Sequence, residues 1–188
     1  DGHSAEINEK LYSTPEDGLE VARRLGLGER GRYMAAFTFG NVHGAYKPGV
    51  VKLRPSLLGD IQARAARAVA EGELPSAAGM VYFPNGKPFE LVFHGGSGSR
   101  PEEIAEAVSY GVIKMNIDTD TQWAFWDGVR GFYKKNEGYL QGQIGNPEGA
   151  DKPNKKFYDP RVWLRAGQTS MIARLEKAFS DLNAIDVL

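Results

Sequence analysis

Cysteine is absent from these 188 residues. That excludes disulfides, thiolate zinc sites and cysteine nucleophiles, and it fits a reducing, cytoplasmic setting. An excess of one charge is missing too. Lys and Arg number 23 against 24 Asp and Glu, a formal net charge of −1, so bulk electrostatics gives no reason to expect nucleic acid or an acidic membrane surface as partner. No uninterrupted apolar run approaches the length of a membrane span, and residues 1–20 do not read as a signal peptide. There is no internal repeat and no low-complexity tract. What remains is 41% apolar and 25% charged, the composition of an ordinary globular domain with a real core. Asp1-Gly2-His3-Ser4 reads like the middle of a loop, so a preceding N-terminal portion is expected.

Along the chain, three strand–loop–helix units follow one another. Residues 1–14 carry no clear period and read as a mobile loop. Ser13-Thr14 leads into a helix from Pro15 to Gly26, with Leu19, Val21, Ala22 and Leu25 near helical spacing. A strand over 32–39 runs into Gly40-Asn41-Val42-His43-Gly44, and an alanine-rich helix spans 55–71 with Leu57, Leu58, Ile61, Ala65 and Val69 on one side. Residues 72–88 read as an excursion. A buried strand over 89–93 and a helix from about 100 to 108 come next, followed by a strand over 111–116. Its end, Ile117-Asp118-Thr119-Asp120, offers acidic caps for a helix through Trp123, Phe125 and Val129. Residues 138–160, long, polar and rich in Gly, Asn, Pro and Lys, read as an ordered surface loop or a subunit contact. A terminal helix over 161–184 has Leu164, Met171, Ile172, Leu175 and Phe179 as its apolar positions. This alternation predicts an α/β fold with parallel strands. Its three loop clusters then share the carboxyl ends of the strands, where such sheets and barrels bind ligands.

The turn His94-Gly95-Gly96-Ser97-Gly98-Ser99 is the centre of this pattern. Ser99 reads as the N-cap of the next helix, with Glu102 completing a capping box and Pro101 in the first turn. Glycines let backbone N–H groups approach an anion closely, and the helix N-terminus behind them favours negative charge. The turn is either a phosphate cradle beside a functional histidine or a flexible βα turn with a solvated one. His43 and His94 each follow an apolar strand and precede a glycine, positions that suit two imidazole ligands of one zinc ion. The alternative is two loop histidines bonded to backbone; His3 has no such context. Asn116, Ile117, Asp118 and Thr119 offer either helix capping or further donors for the same phosphate. Lys47, Lys114, Lys155 and Arg161 are candidate anion partners.

Residues 39–49, 93–99 and 112–121, with the tail Tyr158-Asp159-Pro160-Arg161-Val162-Trp163-Leu164-Arg165-Ala166-Gly167-Gln168, resemble class II fructose-1,6-bisphosphate aldolase. The resemblance runs in order from Leu11 to Leu188, and residues 138–160 look like the dimeric class IIA branch. It implies the C-terminal half of a single-domain (β/α)8 TIM barrel with additional C-terminal helices. Residues 72–88, the poorest match, read as an insertion. The implied activity is zinc-dependent cleavage of fructose 1,6-bisphosphate to dihydroxyacetone phosphate and glyceraldehyde 3-phosphate by a cytoplasmic homodimer. By the same resemblance, His43 and His94 are zinc ligands, and Gly44, Gly95, Gly96, Ser97, Asn116, Ile117, Asp118 and Thr119 bind dihydroxyacetone phosphate. Val42, Gly44, Gly95 and Ser97 resemble a monovalent-cation site for K+ or Na+, and Arg161 the residue that reaches the second phosphate across the dimer.

The family's third zinc-ligating histidine, its catalytic aspartate and its mobile glutamate have no counterpart here, so no acid–base residue is expected in this segment. The missing N-terminal half of the barrel is the implied partner, and the isolated chain is expected to lack turnover. Lys114 is not read as a Schiff-base lysine, because the surrounding motifs are of the metal type. A tagatose 1,6-bisphosphate aldolase, or a non-catalytic phosphate-binding or assembly fragment, are the competing readings.

Overall fold

A computed structural model describes residues 12–42, 52–74 and 86–187. His43, Gly44, Lys47, most of the expected 1–14 loop and most of the 72–88 excursion lie outside the described residues. The chain divides into two compact units, Asp1–Ile117 and Asp118–Leu188.

In the first unit three parallel strands, β1 (Met34–Ala35), β2 (Glu90–Phe93) and β3 (Val112–Met115), lie in that order. Met34 pairs with Glu90, Leu91 with Val112 and Phe93 with Met115. Helices α1 (Pro15–Leu25), α2 (Ser56–Ala70) and α3 (Pro101–Ser109) belong to the same unit. The parallel order bears out the α/β expectation.

Local chemistry starts α1 where expected. Thr14 Oγ1 accepts from the Asp17 N–H at 3.2 Å, and Asp17 Oδ2 accepts from the Thr14 N–H at 2.7 Å. These bonds hold the Asp17 carboxyl below its ordinary pKa. The core gathers Leu19 and Ala22 of α1, Leu58, Ile61, Ala65 and Ala68 of α2, Ile104 and Ala107 of α3, and Leu91, Phe93 and Val112 of the sheet. Edge-on ring pairs Phe39–Phe93 at 4.7 Å and Phe37–Phe89 at 5.3 Å stitch the approach to β2 and its end onto the segment after β1.

Three expectations change. The strand expected over 32–39 pairs only at Met34–Ala35, because the next carbonyls bond elsewhere: Thr38 O accepts from Ser13 N at 2.7 Å and Phe39 O from Arg54 N at 2.8 Å. The cap of α3 falls one residue later than Ser99-Glu102. Arg100 takes the N-cap place, and its N–H donates to Glu103 Oε2 at 3.0 Å, while the Ser99 N–H closes a turn onto Gly96 O at 3.3 Å. Within the apolar stripe of α2 sits a polar residue, Gln62, which is buried.

The second unit contains α4 (Thr119–Asn136), α5 (Lys155–Tyr158) and α6 (Pro160–Asp181), with a short 3-10 turn at Glu137–Tyr139. Residues 138–160, expected as an ordered surface loop or a subunit contact, contain regular structure. They hold an antiparallel hairpin of β4 (Ile144–Asn146) and β5 (Gly149–Pro153), tied to α5 by the buried Asn154, whose Nδ2 donates to Gly142 O at 2.8 Å and Gly145 O at 2.9 Å. Long helices α4 and α6 approach closely at two glycines. A Cβ on Gly128 would sit 2.8 Å from Ser170 Cβ, and one on Gly167 would sit 2.9 Å from the Phe125 ring. The face of α6 that packs is therefore small-residue Gly167 and Ala178. The expected apolar positions Leu164, Ile172 and Phe179 are exposed, as is Trp123 of α4.

Candidate functional site

At the carboxyl end of β2, one histidine is linked by hydrogen bonds to two asparagines, one after β1 and one after β3. His94 follows Phe93 directly. Its carbonyl accepts from Asn41 Nδ2 at 2.9 Å, and Asn41 Oδ1 accepts from the Phe39 N–H at 2.8 Å. Asn41 thus fixes the end of β2 to the segment after β1. On the other side the Asn116 N–H donates to Phe93 O at 2.8 Å, and the Gly96 N–H donates to Asn116 O at 3.1 Å. The parallel ladder continues past the last paired residues, which is why His94 and Asn116 stand abreast. Their side chains meet: Asn116 Nδ2 lies 2.8 Å from His94 Nδ1. Lys114, two residues back on the same face of β3, donates from Nζ to Asn116 Oδ1.

The glycines serve this arrangement in different ways. Gly95 has φ +65°, which L side chains rarely adopt, and a Cβ there would run into the Val42 carbonyl. Gly96 is buried with an ordinary φ; a Cβ there would press on Met115 and lie 3.3 Å from Asn116 O. Both allow a tight turn against neighbouring backbone, and the Gly96 N–H is directed to Asn116. Ser97 is half-buried in the turn that follows.

Of the expected site residues, the first unit brings together Val42, His94, Gly95, Gly96 and Asn116, with Ile117 next in the chain. His43 and Gly44 lie outside the described residues. Among the described residues no three His, Asp or Glu side chains gather to hold a metal. The chemistry of the donor set fits a metal at His94 alone. An imidazole nitrogen within reach of a neutral amide is of the donor type that zinc takes.

In the second unit Asp118 occupies the N-cap place of α4, yet its side chain makes no capping bond. Asp118 Oδ1 instead accepts from Gln122 Nε2 at 2.8 Å. Thr119 is the first residue of α4, where N–H groups lack intrahelical partners. Arg161 sits in the first turn of α6, held by Asp159, which accepts from its Nε at 3.0 Å and its Nη2 at 2.5 Å. The guanidinium keeps the Asp159 carboxyl down at about 2, and its own pKa is raised in return. Of the candidate anion partners, Lys114 is engaged by Asn116 and Arg161 by Asp159. Sequence reasoning missed the bonds of Asn41 and the bond from Lys114 to Asn116. The signal for Asn41 was its place between Gly40 and Val42; that for Lys114 was its i, i+2 spacing to Asn116.

Comparison with known proteins decides the family. The family model for class-II fructose-bisphosphate aldolase matches residues 1–186. This chain belongs to the class II fructose-bisphosphate aldolase family. It is 57% identical over 178 residues to fructose-bisphosphate aldolase class 2 of Escherichia coli strain K12, covering 95% of this chain and 46% of that protein. Fructose-bisphosphate aldolase of Campylobacter jejuni is 57% identical over 179 residues, covering 95% and 47%. A crystal structure of the aldolase from Campylobacter jejuni superposes with a TM-score of 0.78 at 55% identity, covering 98% of this chain and 49% of that one. The chain spans about half the length of the curated relatives it matches.

Proposed function

We propose that this chain is the C-terminal half of a (β/α)8 barrel with added C-terminal helices, in a protein that cleaves and condenses fructose 1,6-bisphosphate as a zinc-dependent aldolase. The observation that carries the reading is the His94–Asn116 cluster at the carboxyl ends of β2 and β3, in a chain that the family model matches almost end to end. Three adjacent parallel strands with helices between them repeat the unit from which such a barrel is built. Ile113 on β3 is 60% exposed, which suits a sheet face that further parts of a larger fold would cover.

His94 would hold the metal together with His43. When bound, the zinc supplies Lewis-acid stabilisation of the negative charge that develops as the carbon–carbon bond beside the ketone breaks. Gly44, Gly95, Gly96, Ser97, Asn116 and Ile117 would bind the phosphate of dihydroxyacetone phosphate through closely approaching backbone; in the second unit, Asp118 and Thr119 at the start of α4 carry N–H groups of the kind that bind such an anion. That clasp fixes the substrate, which is positioning rather than proton transfer. Val42, Gly44, Gly95 and Ser97 would border a K+ or Na+ ion that balances the phosphate. Arg161 would meet the second phosphate, in trans within a homodimer whose contact includes the 138–160 hairpin; Ile144 there is exposed. No described helix is long and apolar enough to cross a membrane, and a cytoplasmic site of action fits the proposed chemistry.

The test uses the complete protein. Chelation should abolish release of triose phosphates from fructose 1,6-bisphosphate, and zinc should restore it. His94→Ala should fold with little change, lose zinc and lose activity. Retained zinc stoichiometry in His94→Ala would remove the metal reading, and faster cleavage of tagatose 1,6-bisphosphate would reassign the substrate.

A further inference from the structure

We infer that Asp159 is a positioning residue, which holds the Arg161 guanidinium so that its outer pair of N–H groups faces solvent and can take a phosphate in a bidentate contact. The inference starts from the order Asp159-Pro160-Arg161 at the start of α6. Pro160 has no N–H, so the first donor that the Asp159 carboxylate can cap belongs to Arg161, whose N–H donates to Asp159 Oδ1 at 3.0 Å. That bond sets the carboxylate over the residue whose side chain it also takes. Arg161 Nε donates to the same Oδ1 at 3.0 Å, and Nη2 donates to Oδ2 at 2.5 Å. One carboxylate therefore fixes both the backbone and the guanidinium of Arg161.

Which edge of the guanidinium is used decides what remains. The group carries its N–H donors in a planar fork. Asp159 takes the inner edge, one N–H from Nε and one from Nη2, and both guanidinium bonds among the described residues go to it. The outer edge, made of Nη1 and the second N–H of Nη2, is the one that matches two oxygens of a phosphate. The Arg161 side chain is 87% exposed and that of Asp159 only 15%, so the anchor is covered while the fork reaches water. Asp159 is itself tied back: its N–H donates to Lys155 O at 3.0 Å, and the Lys155 charge attracts its carboxylate. The Arg161 hydrogen bonds hold that carboxyl down at about 2, so it stays charged at neutral pH.

The bland account is a capping aspartate that touches an arginine because the two are close in sequence. It predicts that loss of the contact weakens the start of α6 and changes nothing in ligand affinity. A second opposing effect is repulsion between Asp159 and an incoming phosphate. At an exposed fork, water and salt screen that repulsion. An untethered arginine, by contrast, must give up its rotamer freedom each time it binds. Preorganisation therefore outweighs repulsion here, and the two differ in sign, so they are separable by measurement.

The inference rests on the reading of Arg161 as the contact for the second phosphate, and the experiment separates the two. In the complete protein, Asp159→Ser keeps a capping hydroxyl but cannot reach the guanidinium, so α6 should stay intact while the arginine is released. Thermal unfolding close to that of the parent confirms the retained cap. KM for fructose 1,6-bisphosphate should rise about two- to tenfold, the range for ordering one long side chain on binding, with a smaller change in kcat. Affinity for dihydroxyacetone phosphate, which carries only one phosphate, should match the parent. Arg161→Ala should raise KM further. Adding Asp159→Ser to Arg161→Ala should then raise it no more, because Asp159 acts through Arg161. An unchanged or lowered KM in Asp159→Ser, or an equal rise with and without Arg161, would overturn the inference and leave Arg161 its phosphate. Unchanged KM in Arg161→Ala would remove that reading of Arg161 and the role of Asp159 with it.

Discussion

Gly95 meets Val42 backbone to backbone: a Cβ on Gly95 would lie 2.9 Å from the Val42 carbonyl carbon and closer still to its oxygen. Gly96, its neighbour, would meet the flexible Met115 side chain instead. The two glycines should therefore differ on substitution. Gly95→Ala adds a clash with rigid backbone to the strain of φ +65°, a conformation that alone costs about 1–2 kcal/mol. In the complete protein Gly95→Ala should weaken affinity for dihydroxyacetone phosphate and lower the midpoint of thermal unfolding. Gly96→Ala should do less of both, because Met115 can move, and Gly96→Val more than Gly96→Ala. Calorimetric titration and thermal melts give the ranking. Equal tolerance of Ala at both positions would mean that the turn does not depend on its contact with Val42.

Gln62 should be costly to remove. Its Oε1 accepts from the Phe89 N–H at 2.8 Å, and its Nε2 donates to Phe89 O at 2.8 Å and Tyr110 O at 2.9 Å. Gln62→Leu keeps the volume and strands these buried backbone groups, each at about 1–3 kcal/mol if left unpaired. The denaturant midpoint should drop clearly, and amide exchange at Phe89 should accelerate. A variant as stable as the parent would show that water takes over the bonds.

Asp159 supplies a pH dependence. Its folded pKa of about 2 lies below the ordinary 3.8 because of the Arg161 hydrogen bonds. A depressed carboxyl contributes stability that is present above the unfolded value and is lost as pH falls toward about 2. Arg161 is largely exposed, although the Asp159 side chain is mostly covered, so solvent screens the pair from the arginine side and the global effect is small. The local effect is measurable: the carboxyl resonance of Asp159 should titrate well below those of exposed aspartates. Arg161→Gln should return it to the ordinary range; a midpoint that ignores Arg161 would contradict the ion pair.

The 188-residue chain by itself should not turn over substrate. It spans about half of its curated relatives, and no described group of three His, Asp or Glu stands ready to hold a metal. Purified chain with zinc and fructose 1,6-bisphosphate is expected to release no triose phosphate above background. Robust turnover by the chain would show that these residues carry a complete catalytic set.

By itself, the sequence determined the elements whose cause is local. The Thr14–Asp17 cap, the alternation of short apolar runs with helices, and the family motifs around His94 and Asn116 are all legible residue by residue, since capping and periodicity act within a few positions. Tertiary structure alone decided the rest. Strand pairing confined β1 to two residues, because the carbonyls of Thr38 and Phe39 found partners far along the chain. Close approach at Gly128 and Gly167 chose the small-residue face of α6 over its larger apolar side chains, a choice that depends on the shape of the partner helix. Gln62 lies inside an apolar stripe because distant backbone groups need its amide. Register between β2 and β3 put the His94 imidazole against the Asn116 amide, with Lys114 behind it. Hydrogen bonds and packing between distant residues are satisfied only when the chain closes on itself, so no window of sequence contains them.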